Sequence, residues 1–305
     1  MQKIKSPIIY MGGKYDMLEY IEALLPKKFF CFYDVFGGAF NVGCNMPCEL
    51  IVYNDIEYRI KEFFELMKNT EPHKLDEMVR NRITEVGLIR YKHDTYYKFR
   101  DIYNQNQNPL DMFILCCYSY MHMLQWNKEG KMNCACGDAE YNQFIRGNLL
   151  AFGMKMRRKN IEFYSTDFHE IINKALNEPT IGGDIVYCDP PYLTTNGAYN
   201  HRKYQWCSED EDALYKMLNV YADAGGLFIL SNVFDHRNQS NEILKKFAER
   251  YYVYHVPNKN YRNLDNLMKP NVSAYETETD EVLVTNIKEP RNPKIFQKGK
   301  ARSLW

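Results

Sequence analysis

The chain has 305 residues, 45% of them hydrophobic and 26% charged, with 16 Gly and 12 Pro, a globular balance that excludes a disordered or collagen-like polymer. Lys plus Arg and Asp plus Glu both number 39, so overall charge points to no polyanionic partner and any nucleic acid must be held locally. No run approaches the roughly 18 apolar residues of a membrane span, the first residues show no signal-peptide core, and nine cysteines without framework spacing predict reduced thiols in a soluble, intracellular protein.

In chain order, Met11-Gly12-Gly13-Lys14 predicts a turn before a helix over 15–25. A β-type run at 31–36 enters Tyr33-Asp34-Val35-Phe36-Gly37-Gly38-Ala39-Phe40, a glycine turn with a helix expected after it; such turns let main chain approach a cofactor. The next strand, 50–53, ends at Tyr53-Asn54-Asp55. An acid there binds ribose hydroxyls in nucleotide sites, although a tight turn with a surface Asp explains the same residues. Between 59 and 158 the alternation stops. This stretch is helical in pattern and rich in Tyr, Met and Asn, with 16 basic and 12 acidic side chains, and reads as an inserted helical domain. A strand at 161–164 precedes Ser165-Thr166-Asp167-Phe168, which also fits an N-cap box. A strand at 184–187, a helix at 208–222 and a strand at 226–230 follow, and runs at 251–256 and 281–286 suggest a closing hairpin. Alternating strand and helix predicts an α/β, doubly wound fold. Its parts are a catalytic domain of 1–58 and 159–287, the helical domain 59–158, and a basic tail 288–305 with six basic residues and one acidic. A mobile loop at 257–280 and a loose tail are expected.

The strongest chemical signal is Asp189-Pro190-Pro191-Tyr192, directly after a predicted parallel strand. A carboxylate at the carboxyl edge of such a strand faces the crevice where these sheets bind ligands. Two prolines fix the backbone and leave carbonyls to accept hydrogen bonds. Two acceptors match the two hydrogens of an exocyclic nucleobase amine, and the Tyr192 ring can stack on its plane. A Pro-Pro turn that merely caps a strand is the plain alternative. Cys134-x-Cys136 and Cys44-x3-Cys48 lack His or further Cys at zinc spacing, so no metal is expected. His122 and His201 are isolated. Lys155-Met156-Arg157-Arg158-Lys159 is either a solvated face or a phosphate contact.

In this order the motifs resemble the Dam-like DNA adenine N6-methyltransferases, the alpha group of S-adenosylmethionine-dependent amino-methyltransferases. The likeness runs through Gly12-Gly13-Lys14, Phe36 to Gly38, Asp55, Tyr96-Tyr97-x-Phe99-Arg100, Asn127-x-x-Gly130-x-Met132-Asn133-x-x-x-Gly137, Asp167, Cys188-Asp189-Pro190-Pro191-Tyr192, Ser231-Asn232 and Asp280-Glu281-Val282-Leu283. It implies a Rossmann-like methyltransferase sheet with an inserted helical target-recognition domain. It also implies a catalytic set of Asp189, Pro190, Pro191 and Tyr192, and S-adenosylmethionine held by Tyr10, Lys14, Phe36, Gly37, Gly38, Asp55 and Asp167. Duplex DNA would meet Tyr120, Gln125, Trp126, Asn127, Lys128, Asn133, Arg157 and Arg158; for Tyr120 and Trp126 a place in the helical core reads equally well. A cognate restriction endonuclease is an implied partner, and the location cytoplasmic. The chain departs from the pattern at Phe40, where many members have glycine, and at Gln125 and Ala135, where readers of GATC usually carry Arg and Pro. Cytosine N4, an RNA adenine or a protein amide as acceptor, and a non-catalytic DNA-binding or anti-restriction homologue, are the competing functions.

Overall fold

A computed structural model describes residues 2–9, 12–178, 181–194, 206–237, 239–257 and 279–296. Tyr10, His201, most of the loop expected at 257–280 and the end of the tail lie outside these residues. In chain order the elements are α1 (Leu18–Leu24), β1 (Cys31–Asp34), β2 (Leu50–Asn54), α2 (Tyr58–Asn69), α3 (Pro72–Glu85), α4 (His93–Asn106), α5 (Pro109–Tyr118), α6 (Gln143–Arg157), β3 (Asn160–Tyr164), α7 (Phe168–Leu176), β4 (Ile185–Cys188), α8 (Ser208–Asp223), β5 (Leu227–His236), β6 (Gln239–Ser240), α9 (Glu242–Ala248), β7 (Tyr252–His255) and β8 (Thr279–Thr285). The mixed α/β architecture, with mostly parallel strands, is the expected class. The chain divides into two compact units, the first from described residues of 1–16 and 30–171, the second from those of 17–29, 172–194 and 206–296.

In the first unit β1, β2 and β3 run parallel, with Tyr33 opposite Val52 and Val52 opposite Glu162. The two strands β1 and β2 are nearly continuous apolar runs because both faces are covered, and helix α5 is buried from Leu110 to Tyr118. Pro109 stands in its first turn and the Asn108 side chain accepts from Leu110 N at 2.9 Å, a start that orders a helix whose apolar residues occupy every face. It packs on α2, where Phe63 and Phe113 stack at 4.6 Å. Acids enter this core only with partners: Arg82 grips the buried Asp111 through two bonds of 2.8 and 2.9 Å, the bidentate geometry that makes burial of a carboxylate tolerable.

The helix expected after the glycine turn is absent. Gly38 and Phe40 have φ of 46° and 58°, left-handed values that break a right-handed helix, and only a short 3-10 turn over Gly43–Asn45 follows. A second difference lies at 118–137, where little strand signal was expected. Isolated bridges pair Ser119 with Cys136 and Trp126 with Met132, forming an irregular antiparallel arm.

In the second unit β4 and β5 are parallel, β8 pairs antiparallel with β5, and β7 pairs antiparallel with β8. The last pair is the closing ladder expected from the two late runs. The carboxyl half of β5 extends beyond its expected end because β8 gives it a partner, Val233 opposite Glu281. Residues 291–296 of the tail are docked, contrary to the loose end expected. Arg291 donates to the carbonyls of Pro26 and Lys27 at 2.9 Å, and Phe296 meets the Tyr20 and Tyr254 rings.

Strand alternation sends Ser231 and Asn232 to opposite faces of β5. On the Asn232 side Glu211 of α8 is fully buried. Its Oε1 accepts from Tyr215 Oη and from the Nδ2 groups of Asn232 and Asn241, each 2.9 Å away, while Oε2 has no partner among the described residues. Burial pushes this carboxyl above the ordinary glutamate range, against the hydrogen bonds that lower it. A raised folded-state value favours the folded state below the ordinary range and loses that contribution as pH rises. Unfolding free energy is therefore expected to fall as pH climbs from the ordinary glutamate range toward neutrality, with a flatter profile in Glu211→Gln. Glu211→Leu strands two buried donors, Tyr215 Oη and Asn241 Nδ2, while Asn232 Nδ2 keeps Tyr215 Oη at 3.1 Å, and should cost about 2 kcal/mol or more in urea unfolding, at roughly 1–3 kcal/mol for each unsatisfied group.

Candidate active site and recognition arm

The first unit gathers most of the residues expected around a methyl donor. At the end of β2 the half-buried Asp55 accepts through Oδ2 from Gly38 N and through Oδ1 from Glu57 N, both at 2.8 Å. Gly37 N bonds to Asn54 O at 2.7 Å, and the Asn54 side chain joins Val35 O, Thr166 O and Thr166 N. These bonds tie the carboxyl ends of β1, β2 and β3 into one polar edge. Gly38 is left-handed, where glycine is the residue without steric cost. Phe40 adopts the same sign of φ without being glycine. Its ring is buried against Tyr53 at 4.7 Å and Phe64 at 5.5 Å, contacts that offset the strain of that conformation. Phe36 lies 5.8 Å from Phe168. Lys14 is buried and donates to Gly12 O at 2.9 Å. Asp167 caps α7 by accepting from His169 N at 2.9 Å and from the His169 ring, so the N-cap reading of that motif is realised.

In the second unit, Asp189 to Tyr192 leaves the end of β4, with Pro190 and Tyr192 buried and Asp189 and Pro191 half-buried. The Tyr192 hydroxyl donates to Asp189 Oδ1 at 3.0 Å, lies 3.1 Å from Ser231 Oγ, and is 3.5 Å from Glu281 Oε1. The tetrapeptide is therefore a braced carboxylate, which a simple strand cap does not require.

The arm at 118–137 belongs to the first unit and is held by side chains far away in sequence. On one face of α4, Tyr96 and Arg100 donate to Cys134 O at 3.3 and 3.0 Å, and Asn104 bonds both N and O of Met132. Arg59 of α2 donates to Gly130 O at 2.9 Å and lies over the Trp126 ring at 5.0 Å. Gly137 sits at the crossing of the two sides; a Cβ there would stand 2.7 Å from Ser119 O and Tyr120 Cα. Met121 and His122 both have positive φ, and the adjacent Tyr120 is 41% exposed beside a cavity of about 390 Å³ lined by Arg90, Asp138 and Asn142.

The profile of the D12 class N6 adenine-specific DNA methyltransferases matches residues 10–262. The chain belongs to this family. Type II methyltransferase M.FokI of Planomicrobium okeanokoites is 33% identical over 291 residues, covering 93% of this chain and 43% of that protein. Modification methylase StsI of Streptococcus sanguinis is 34% identical over 294 residues, 92% of this chain and 44% of the relative. The DNA adenine methylase of Escherichia coli K12 is 25% identical over 208 residues, 67% and 70% of the two chains. This D12-class chain thus spans less than half the length of the first two relatives.

Among the residues expected to face DNA in this D12-class chain, the structure separates two groups. Trp126 is corrected to a core residue: it is 4% exposed and its indole N–H goes to Tyr103 Oη at 3.3 Å. Asn127 is a turn residue, its Oδ1 accepting from Glu129 N and Lys131 N. By contrast the Gln125 side chain has no hydrogen bond among the described residues, while its main chain is fixed by Cys134 Sγ and Asn133 N. Lys128, Asn133 and Arg158 are exposed. The flanking Lys155 and Lys159 bond Asn45 and Met46 O, and Arg157 reaches Lys68 O. Burial pushes the Cys44 and Cys48 thiols up to about 12, which marks them as packing residues. Sequence reasoning missed Arg59 and Asn104 altogether, and it quoted Ser231 and Glu281 without a role. The signal for the last two was their place on adjacent strands, which only the β5–β8 register reveals.

Proposed function

We propose that the chain transfers a methyl group from S-adenosylmethionine to the N6 amine of an adenine flipped out of duplex DNA. The observation that carries this reading is the braced Asp189 carboxylate at the end of β4 in a chain of this family. The donor residues fit the group: a carboxylate held at a strand end, a left-handed glycine that brings main chain to the same edge, and the Phe36 ring. Asp55 would take the ribose hydroxyls. When bound, the sulfonium supplies an electrophilic methyl. The amine is the poor partner, because its lone pair is delocalised into the ring. Asp189 and the Pro190 carbonyl accept its two N–H bonds, favour a pyramidal nitrogen, and aim the lone pair for in-line attack. Asp189 then receives the departing proton. Flipping the base costs a few kcal/mol of unstacking, offset in part by the Tyr192 ring, with Tyr120 entering the gap.

The names of the relatives, modification methylases among them, support a cognate restriction endonuclease as partner and a cytoplasmic location; among the described residues no helix is long and apolar enough to cross a membrane. The test is methyl transfer to adenine-containing duplex DNA compared with single-stranded RNA and with duplexes made only of G·C pairs; transfer confined to the latter two would overturn the reading. Sequence choice is assigned to the arm, with Gln125 reading a base. Its uncommitted amide matches adenine N6 and N7, whereas the Arg of GATC readers matches guanine O6 and N7. Mapping N6-methyladenine should show a short adenine-containing site other than strict GATC. Gln125→Ala should relax one position by ~1–3 kcal/mol, about 5- to 150-fold in relative rate. An unchanged preference at every position removes Gln125 from readout.

A further inference from the structure

Within the first unit, one arginine stands between the donor edge and the recognition arm. Arg59 lies in the first turn of α2, just after Asp55 in sequence, and its side chain is only 11% exposed. Nη1 donates to Glu57 Oε1 at 2.7 Å, Nε to Gln107 Oε1 at 2.7 Å and Nη2 to Gly130 O at 2.9 Å. The guanidinium is also 4.6 Å from the Tyr58 ring and 5.0 Å from the Trp126 ring. A charge so enclosed is no better for stability than an apolar side chain of similar size unless it is well partnered, and these partners come from three places: the start of α2, the end of α4 and the arm.

Each end of this set of contacts leads to a site. Glu57 N donates to Asp55 Oδ1 at 2.8 Å, and the Glu57 side chain accepts from Arg59 N as well as from Nη1, so a single residue joins the carboxylate assigned to the donor with the guanidinium. At the other end Gly130 O belongs to a tight turn, in which Gly130 N donates to Asn127 O and Asn127 N to Lys131 O, each at 2.9 Å. That turn closes the two sides of the arm, which bridge at Trp126 and Met132, with Gln125 beside the bridge and Lys128 in the turn. Asn104 grips the same arm from α4, and both of its hydrogen bonds among the described residues go to Met132. We propose that Arg59 is a positioning residue that couples the donor site to base recognition: a bound donor steadies the arm turn, and an arm engaged on DNA steadies the donor's carboxylate. The two states are the turn at 127–130 held by Arg59 and the same turn released. A donor hydrogen-bonded to Asp55 restrains Glu57 and with it the guanidinium, which favours the held turn, and DNA that needs the held turn then meets a smaller ordering cost. By linkage the effect is equal in both directions. The inference rests on Asp55 taking the donor and on the arm facing DNA.

The test is a thermodynamic cycle on the full chain, with sinefungin as a non-reactive donor analogue and a duplex carrying the site found by mapping N6-methyladenine. Sinefungin should tighten DNA binding at least ~5-fold, the lower end of ordinary coupling, and DNA should tighten sinefungin binding by the same factor. In Arg59→Met that factor should fall below about 2, while affinity for sinefungin alone stays within about 3-fold of the parent. Asn104→Ala is the control for a merely structural role: it should weaken DNA binding equally with and without sinefungin and keep the parental factor. Hydrogen exchange at the Asn127 and Gly130 amides should slow on adding sinefungin to the parent and stay unchanged in Arg59→Met. Should Arg59→Met fail to fold, Glu57→Ala cuts the link at its donor end, leaves Arg59 on Gly130 O, and is read in the same way. A factor near 1 in the parent overturns the proposal, as does a parental factor in Arg59→Met or a factor lost equally in Asn104→Ala. Asp55→Ala separates the two readings. If it weakens sinefungin binding while Arg59→Met keeps the factor, only the link fails; if it leaves sinefungin affinity unchanged, the assignment of the donor to Asp55 fails.

Discussion

Asp189→Ala is expected to reduce methyl transfer more than ~100-fold while the protein folds and binds S-adenosylmethionine with near-parental affinity; a single positioned polar group aimed at the reacting centre is commonly worth 10²–10³ in rate. The structure explains why the loss should be confined to chemistry. Asp189 is half-buried at the end of β4, and the Tyr192 hydroxyl that it accepts from still has Ser231 and Glu281 within 3.5 Å, so truncation leaves that hydroxyl an acceptor. The residues assigned to the donor belong to the first unit and the carboxylate to the second, so calorimetry with donor alone reports on a different part of the chain. Single-turnover methylation measures the chemical loss, and a rate within a few-fold of the parent rejects Asp189 as the acceptor of the amine. Parallel loss of donor affinity would instead show that Asp189 acts in binding.

The parts of this chain that were legible in sequence share one property: their cause is local. The strands β1, β2 and β4 are short apolar runs that end in Asp34, Asn54 and Cys188, and a run of that kind has few alternatives when helices cover both faces. The tetrapeptide and the glycine turn were readable because two prolines restrict the backbone and two glycines free it for turns, wherever they occur. What escaped has distant causes. The arm at 118–137 has few ladder bonds of its own and is shaped by Arg59, Tyr96, Arg100 and Asn104, between 28 and 71 positions away from the carbonyls they hold. No periodicity within the arm announces it. Trp126 was readable as an aromatic and not as a buried one, since the residues that bury it come from α2 and α4. The helix expected after Gly38 failed because Phe40 takes a left-handed conformation that its side chain would not predict; four aromatic neighbours hold it there. Glu281 lies 89 positions from Tyr192, and its approach to that hydroxyl depends on the register of β8 against β5.

Asp55→Ala should weaken S-adenosylmethionine binding at least ~10-fold, about 1.4 kcal/mol, and here the structure adds a reason to the one legible in sequence. On the proposed reading the carboxylate does two tasks at once. It accepts from Gly38 N and Glu57 N, which holds the left-handed turn against the end of β2, and an ionised carboxylate has about four acceptor sites in all, enough to serve ribose hydroxyls as well. Removing it withdraws an acceptor from the donor and releases the turn that brings main chain to that edge, with each lost charged hydrogen bond worth roughly 1.5–3 kcal/mol. The two contributions can be told apart. Asp55→Asn keeps one oxygen for either Gly38 N or Glu57 N but must point its NH2 group at the other amide, so it should lose turn stability as well as affinity. Asp55→Glu keeps the charge and lengthens the side chain by one methylene, so the turn is disturbed while an acceptor pair remains. If ribose contact dominates, Asp55→Glu should bind the donor more tightly than Asp55→Asn; if the turn dominates, both should be equally weak and both should show a lowered unfolding midpoint without ligand. Calorimetry and thermal unfolding on the three variants decide between these outcomes, and donor affinity unchanged in all three would remove Asp55 from the site.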